Sequence, residues 1–245
     1  MAYWYRDVEG MLLRKTPRRA TYMASMSHSA FGERPLGDGV FPPKQARSAA
    51  TFQRILDATD ALLRERDFEE ISVFEICATA KVSVSSLYSR FESKQAILAT
   101  LCDEMARTSI ERMQSTIATV ADHFDRTGEL DLMAVARVAV DTYARQLQEN
   151  RRLVSSLQAF PALWRRHQRQ NNFMVRAAAE QFLQRLHIED PVLVDRIAIL
   201  AAVLGPACQR MLIDGTSISD LGIAEDALLD EMATMAASYF ASPRV

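Results

Sequence analysis

Residues Ile71–Leu98 read ISVFEICATAKVSVSSLYSRFESKQAIL, and the reading of this stretch decides the fold. Ser72 stands three residues before Glu75, the spacing of a capping box. In that arrangement the serine oxygen accepts from the glutamate amide, and the glutamate reaches back to the serine amide. Ile71 before the cap and Ile76 at the fourth helical position form a hydrophobic staple. Val73, Ile76, Cys77 and Ala80 make the inward face of a short helix that ends at Lys81-Val82-Ser83. Ser83 can cap a second short helix with Leu87 and Phe91 as its interior pair. Val84, Ser85, Ser86, Tyr88, Ser89 and Arg90 are left facing outward. Glu92-Ser93 breaks that helix, and Ser93 caps another that begins at Lys94 and carries Ile97, Leu98, Leu101 and Met105.

Upstream, Phe52, Ile55, Leu56, Thr59, Leu62 and Leu63 recur at helical spacing and predict one amphipathic helix from Ala46 to the polar Arg66-Asp67. Three helices, the last two separated by a short turn, make a helix-turn-helix. A helix that enters a major groove about 12 Å wide needs small residues near its start, so that its backbone can approach the bases. Ser83, Val84, Ser85 and Ser86 meet that need. Their hydroxyls suit phosphates or base edges, and Val84 suits a thymine methyl. Tyr88 is long enough to reach a phosphate, and Lys94 places a cation at a helix start whose amides already attract anions. Ser89, Arg90, Lys81 and Arg47 complete the candidate DNA-contacting set.

The segment Ile71–Leu98 resembles the DNA-binding domain of TetR-family (tetracycline-repressor-like) transcriptional regulators. The resemblance rests on Ser72, Val73, Ile76, Ala80, Val82, Ser83, Leu87, Tyr88, Phe91, Ser93, Lys94 and Leu98, with RILDATDALLRERDFEEIS matching the first helix. Five positions depart from the family pattern, one of them the arginine near the start of the first helix, which falls at Phe52 with Arg47 and Arg54 as nearby substitutes. The turn glycine is Lys81, the second glycine is Ser85, the histidine before Phe91 is Arg90, and the glycine after the first helix is Asp67. A non-glycine turn residue at positive φ costs roughly 1–2 kcal/mol, and Asp tolerates that region better than most residues. The resemblance implies an all-α protein: an N-terminal three-helix helix-turn-helix domain followed by a helical ligand-binding and dimerisation domain. It also implies a homodimer acting on a palindrome-like site in double-stranded DNA, and a small-molecule effector of unknown identity. Repression is the family's commoner mode.

Bulk composition points elsewhere. The 245 residues are 49% hydrophobic and 24% charged, with a formal net charge of −2 and only 8 glycines. DNA-binding proteins usually carry a basic excess. Residues 46–98 hold seven Lys or Arg against eight Asp or Glu, yet between Lys81 and Lys94 three basic residues face one acidic. Local placement therefore carries the DNA-binding reading, with few cations available per subunit. The alternative is a helical ligand-binding or interaction protein that has lost DNA binding. Cys77, Cys102 and Cys208 form no CxxC pair, and His28, His123, His167 and His187 form no metal-binding spacing. No catalytic constellation stands out, so no enzyme, metal or cofactor is expected. No run reaches the roughly 18 apolar residues of a membrane helix, and no basic-then-apolar secretory leader is seen, so a cytoplasmic protein with no membrane partner is expected.

Three regions follow. Residues 1–45 cluster Pro and Gly and predict a flexible arm that carries Arg14, Lys15, Arg18 and Arg19. It reads as a DNA-contacting arm, as a plain tail, or as sequence upstream of a true start at Met23 or Met26. Residues 46–98 are the helix-turn-helix domain. Residues 99–245 predict helices: the Lys94 helix to Phe124, with or without a break, then 132–149, 151–160, 161–186, 190–214 and 219–240. Pro161 and Pro191 suit first turns. The last two helices carry small residues, among them Ala198, Ala202, Gly205, Ala233 and Ala237, which allow close helix approach. By the resemblance this pair is the dimer interface; plain intrachain core is the other reading. Trp164, His167 and Asn171 share a helix face and are candidate ligand-binding residues. Arg151, Arg152, Arg165, Arg166 and Arg169 either favour an anionic ligand or form a solvated face.

Overall fold

The computed structural model describes residues 40, 46–213, 222 and 224–241; the expected arm, Val40 excepted, lies outside the described residues. Among the described residues the fold is all-α, as expected. Its helices are α1 (Ala46–Leu63), α2 (Val73–Ala80), α3 (Val84–Tyr88), α4 (Lys94–Thr127), α5 (Leu132–Glu149), α6 (Arg151–Gln158), α7 (Pro161–Arg185), α8 (Pro191–Ile213) and α9 (Glu225–Ala241). A 3-10 turn, Phe68–Glu70, joins α1 to α2.

The stripe on α1 is inward as predicted: Phe52, Ile55, Leu56, Thr59 and Leu63 are buried, with Leu62 half-buried against the same core. The Thr59 hydroxyl is satisfied by donating to the Ile55 carbonyl at 2.8 Å. Ile76, Leu87, Phe91, Ile97 and Leu98 meet this face with essentially no exposure. Phe52 stacks on Phe91 with ring centroids 4.8 Å apart, which fixes α1 against the end of α3. The predicted caps are all made. Ser72 accepts from the Glu75 amide within a complete capping box, Ser83 from the Ser86 amide, and Ser93 from the Ala96 amide. Such a cap contributes about 1 kcal/mol.

The turn between α2 and α3 is left-handed at Lys81, with φ 54° and ψ 50°. Lys81, where the resembled pattern has glycine, thus takes the left-handed conformation at a steric cost. Asp67 differs from expectation. It is extended, with φ −71° and ψ 147°, so it needs no glycine-like freedom.

α4 runs its 34 residues without interruption and ends at Gly128, whose φ of 68° terminates the helix. Its first turns, Ala96 to Cys102, are buried on all sides because α4 lies between the helix-turn-helix and the rest of the chain. Arg166 of α7 donates to both oxygens of Asp103 at 2.7 and 2.5 Å, and Gln170 donates to the same carboxylate at 3.1 Å. α9 packs on α5, where Arg137 pairs with both Asp141 and Asp230. The last helix begins at Glu225 rather than at Ser219: Gly222 is in a turn and Ala224 precedes the helix. α8 is long and apolar enough to cross a membrane by length and composition, with mean hydropathy 1.7, yet only 22% of its apolar window is buried.

Candidate nucleic-acid interface

α3 is five residues long and is held from three directions. From below, Leu87 is fully buried. At its start Ser83 Oγ accepts the Ser86 amide at 3.1 Å and lies 3.0 Å from Ser85 Oγ. At its end the Arg90 guanidinium donates to the Ser86 carbonyl at 2.7 Å, to Ser86 Oγ at 3.1 Å and to Ser89 Oγ at 2.9 Å. The same group reaches α1, donating to the Ser48 carbonyl at 3.5 Å and to Ser48 Oγ at 3.4 Å. A cation at a helix C-terminus also suits the helix dipole. These contacts orient one short helix so that Ser83, Ser85, Ser89 and Tyr88 face solvent, Tyr88 with 46% exposure. The exposed face is a row of hydroxyls, able to donate to phosphate oxygens or base edges.

Several candidate residues sit differently from the sequence expectation. Val84 is half-buried against the core rather than fully outward, and Ser86 is half-buried with its carbonyl engaged by Arg90 and Ser89. Arg90 therefore positions α3 instead of offering an unengaged charge. Lys94 is the largest correction. Its Nζ donates to the Phe68 carbonyl, to the Ile71 carbonyl at 2.5 Å and to the Glu69 carbonyl at 3.5 Å. It also lies 4.3 Å from the centre of the Phe68 ring. Three carbonyls match the three protons of an ammonium, so the cation is turned into the protein and away from a phosphate. Burial lowers its pKa, with Glu69 and Glu75 acting in the opposite direction. No local pattern could reveal this, because the carbonyls stand 23 to 26 positions away in sequence. Lys81 is exposed at the turn. Arg47 is in the first turn of α1, and its side chain lies outside the described residues.

The 3-10 turn that Lys94 holds is gripped from the other side as well. Phe160 packs edge-on to Phe68 with centroids 6.0 Å apart, and Arg152 of α6 pairs with Asp67 at 3.4 Å. The start of α4 and the α6–α7 corner thus clasp one turn of the helix-turn-helix domain. Val40 is a residue that sequence reasoning missed. It is buried and forms an antiparallel bridge with Phe91, shortly after α3 ends. Its only sequence signal is an apolar pair, Val40-Phe41, inside a Gly- and Pro-rich stretch.

The ligand candidates divide between two places. His167 is buried, with Nδ1 3.6 Å from Cys102 Sγ on α4, and Trp164 packs beside it at 5.7 Å between ring centroids. Burial lowers the His167 pKa and pushes the Cys102 thiol up to about 12, so both are neutral core groups near pH 7. Asn171 instead opens on a groove of about 450 Å³ between α7 and α8, with Asn172, Arg176, Asp195, Ala198 and Ile199. The arginines do not converge there: Arg166 is on Asp103, Arg152 on Asp67, and Arg165 on the Pro161 carbonyl. Among the described residues no group of His, Cys, Asp or Glu is arranged to hold a metal ion, and all three cysteines are free and buried.

Residues 55–101 match the family described as bacterial regulatory proteins, tetR family. The A-factor receptor protein of Streptomyces griseus is 34% identical over 80 residues, covering 32% of this chain and 29% of the receptor. An uncharacterized HTH-type transcriptional regulator of Mycobacterium tuberculosis is 33% identical over 64 residues, covering 26% of this chain and 30% of that regulator. The chain thus spans only about three tenths of the length of these curated relatives. Solved structures extend the likeness of fold to about four fifths of the chain. A tetR-family regulator from Mesorhizobium loti superposes with a TM-score of 0.61 at 18% identity, covering 80% of this chain and 98% of that one. FadR from Bacillus subtilis, solved with stearoyl-CoA, does so with a TM-score of 0.54 at 15% identity, covering 77% and 98%.

Proposed function

We propose that this chain, a tetR-family protein through residues 55–101, is a DNA-binding transcriptional repressor that works as a homodimer and responds to a small molecule. The observation that carries the reading is the helix-turn-helix itself. α3 is capped at its start, tied down at its end by Arg90, and presents Ser83, Ser85, Ser89 and Tyr88 to solvent. A surface built only for core packing would have no need of so many devices on a five-residue helix. DNA contact comes from these hydroxyls, with charge from Lys81 and Arg47. Lys94 and Arg90 act by holding α3 in place.

Dimerisation is supported by α8 and α9. Val192, Ile199 and Val203 form an exposed apolar stripe on α8, with Val203 62% exposed, and Met235 is exposed on α9. Small residues Ala202 and Ala198 lie along the same helix. A second copy meeting this face would bury it isologously and set two α3 helices about one DNA turn, roughly 34–36 Å, apart. The effector is expected on the α7 side of the α7–α8 groove, where Asn171 and Asn172 offer amide donors and acceptors; Ala198, Ile199 and Ala202 on its α8 side belong to the face assigned to the second copy, which would close over the groove. It would act by binding the DNA-competent and incompetent dimers unequally. The clasp around Phe68 links α4, α6 and α7 to the DNA-binding domain and is a route for that difference.

The test is selection of bound duplexes from a random pool, followed by titration of the recovered site with wild type and Tyr88→Ala. A two-fold site and a weaker variant support the reading. If wild type retains no duplex even at low salt, the chain is instead a helical ligand-binding or interaction protein. The inward Lys94 and the acidic balance of residues 46–98 are the observations that favour that second reading.

A further inference from the structure

We propose that a cavity between α5, α7 and α8 binds an uncharged small molecule, or the uncharged head of a larger one, that both donates and accepts hydrogen bonds. The cavity measures about 140 Å³ and adjoins the α7–α8 groove, with which it shares Asn171, Asn172 and Ala202. Calling that molecule the effector rests on the function proposed above; its binding there does not.

Three observations carry the assignment. The first is a buried amide without a partner. Gln209 of α8 lines the cavity with only 7% exposure, and its side chain makes no hydrogen bond among the described residues. Buried polar groups are normally paired, because leaving water without a new partner is costly. The Gln209 amide is therefore offered to whatever occupies the cavity.

The second is the chemistry of the wall. Tyr143 of α5 and Gln168, Asn171 and Asn172 of α7 line the same space, and none of these side chains hydrogen-bonds to another described residue. The Tyr143 hydroxyl lies against α8 at Gly205, where a Cβ would come within 3.5 Å of it. Each amide carries two N–H donors and a carbonyl acceptor, and the phenol can donate or accept. Pro206, inside α8, has no amide proton to give the Ala202 carbonyl one turn earlier, which adds an acceptor at the wall. A site for an anion presents donors and a site for a cation presents acceptors; this wall presents both.

The third is the lack of charge. No Lys, Arg, Asp or Glu among the described residues lines the cavity. Burial pushes the Tyr143 hydroxyl up to about 12 and the neighbouring Cys208 thiol up to about 11, so both are neutral near pH 7. In the adjoining groove Arg176 is paired with Asp195 at 2.7 Å. An ion would lose its water here without gaining a counter-charge, and a hydrocarbon would leave the amides unpaired. A cavity of roughly 150 Å³ holds benzene, so this one has room for about six or seven non-hydrogen atoms.

The experiment titrates four probes of about seven non-hydrogen atoms each into the full chain. They are δ-valerolactam (uncharged, with one N–H and one carbonyl), cyclobutanecarboxylate, cyclohexylammonium and toluene. Binding is read from the NMR signals of Asn and Gln side-chain amides, with that of Gln209 identified by its loss in Gln209→Leu. The lactam is expected to bind wild type and move the Gln209 signal, with the other three about tenfold or more weaker. Tyr143→Phe should weaken the lactam about fivefold and Gln209→Leu about tenfold. Gln209→Leu should gain affinity for toluene, which shows that the cavity survives in that variant. The site is overturned if a charged probe or toluene binds wild type as well as the lactam does, or if either variant binds the lactam as wild type does. It is also overturned if no probe binds, which leaves a hydrated cavity only. A separate arm measures wild-type affinity for the selected duplex with and without saturating lactam. A lactam that binds but leaves that affinity unchanged upholds the site and removes its regulatory role. DNA release by another molecule, with no lactam bound, removes the site and upholds the effector reading.

Discussion

The helix-turn-helix domain and the α8–α9 pair solve opposite problems. In the first, every apolar residue of the α1 stripe finds a partner within the same chain, and Ile55, Leu56, Ile76, Leu87 and Phe91 have no exposure at all. In the second, Ile199, Val203 and Met235 are each more than half exposed. Phe74 of α2, 74% exposed, apart, the first region closes its apolar residues within the monomer, and on the proposed reading its serine-lined face on α3 meets DNA. The second leaves an apolar face uncovered, which the proposed dimer would bury. The difference teaches that exposure must be read together with chemistry. In the function proposed above, the serines and tyrosine of α3 are assigned to DNA and the branched aliphatics of α8 to a second copy.

Substitutions break this contrast in a graded way. Phe91→Ala removes the ring that stacks on Phe52 and should cost roughly 3–5 kcal/mol, read as a large drop in the denaturation midpoint. An unchanged midpoint would mean that the domain core is not as closed as its burial indicates. On the uncovered face, the double change Ile199→Glu and Val203→Glu should leave folding nearly intact but convert dimer to monomer by sedimentation. Affinity for a two-fold DNA site should then fall about tenfold or more, or about 1.4 kcal/mol, because the two half-sites no longer bind together. A variant that stays dimeric would move the interface elsewhere.

Smaller effects sharpen the picture within the first region. Ser72→Ala removes one half of the capping box and should cost about 1 kcal/mol by denaturant unfolding. Its partner Glu75 has its pKa lowered from 4.5 to about 2, chiefly by the hydrogen bond from the Ser72 backbone amide, with help from the Ser72 side chain and Arg66. A carboxylate whose folded pKa is depressed contributes stability above its unfolded pKa and loses it as pH falls through the folded value. The advantage of wild type over Glu75→Gln should therefore be complete above pH 4.5 and vanish towards pH 2. The smallest change is a gain. Lys81→Gly relieves the left-handed strain at φ 54° and should stabilise the domain by about 0.5 kcal/mol, after the entropy cost of glycine is subtracted. The same change should weaken DNA binding if Lys81 contacts a phosphate.

Much of the first region is legible in the sequence because its determinants are local. Ser72, Ser83 and Ser93 each bond an amide three residues ahead, so spacing alone identifies them. The left-handed turn at Lys81 follows from the resemblance, since a glycine at that place in the family pattern signals positive φ. Asp67 is not legible in this way. An extended residue and a left-handed one can both follow a helix, and nothing nearby distinguishes them. The unbroken α4 is legible only in part. Its polar C-terminal half suggests an interruption, but no helix breaker occurs before Gly128, and each added residue brings one more backbone hydrogen bond.

By itself the sequence determined most of the helices, the caps at Ser72, Ser83 and Ser93, the inward stripes of α1 and α2 and the presence of a helix-turn-helix. These follow from contacts between residues a few positions apart, where periodicity and side-chain chemistry act directly. Only the tertiary structure decided which charges are engaged inside the protein and which apolar faces stay uncovered. By sequence Lys94 suits a phosphate, yet in the fold it clasps a turn 23 to 26 residues away; His167 suits a ligand, yet it is core against Cys102. An ammonium or an imidazole fits either role. Which one it takes depends on the carbonyls and helices that packing brings to it, and those are set by the whole chain.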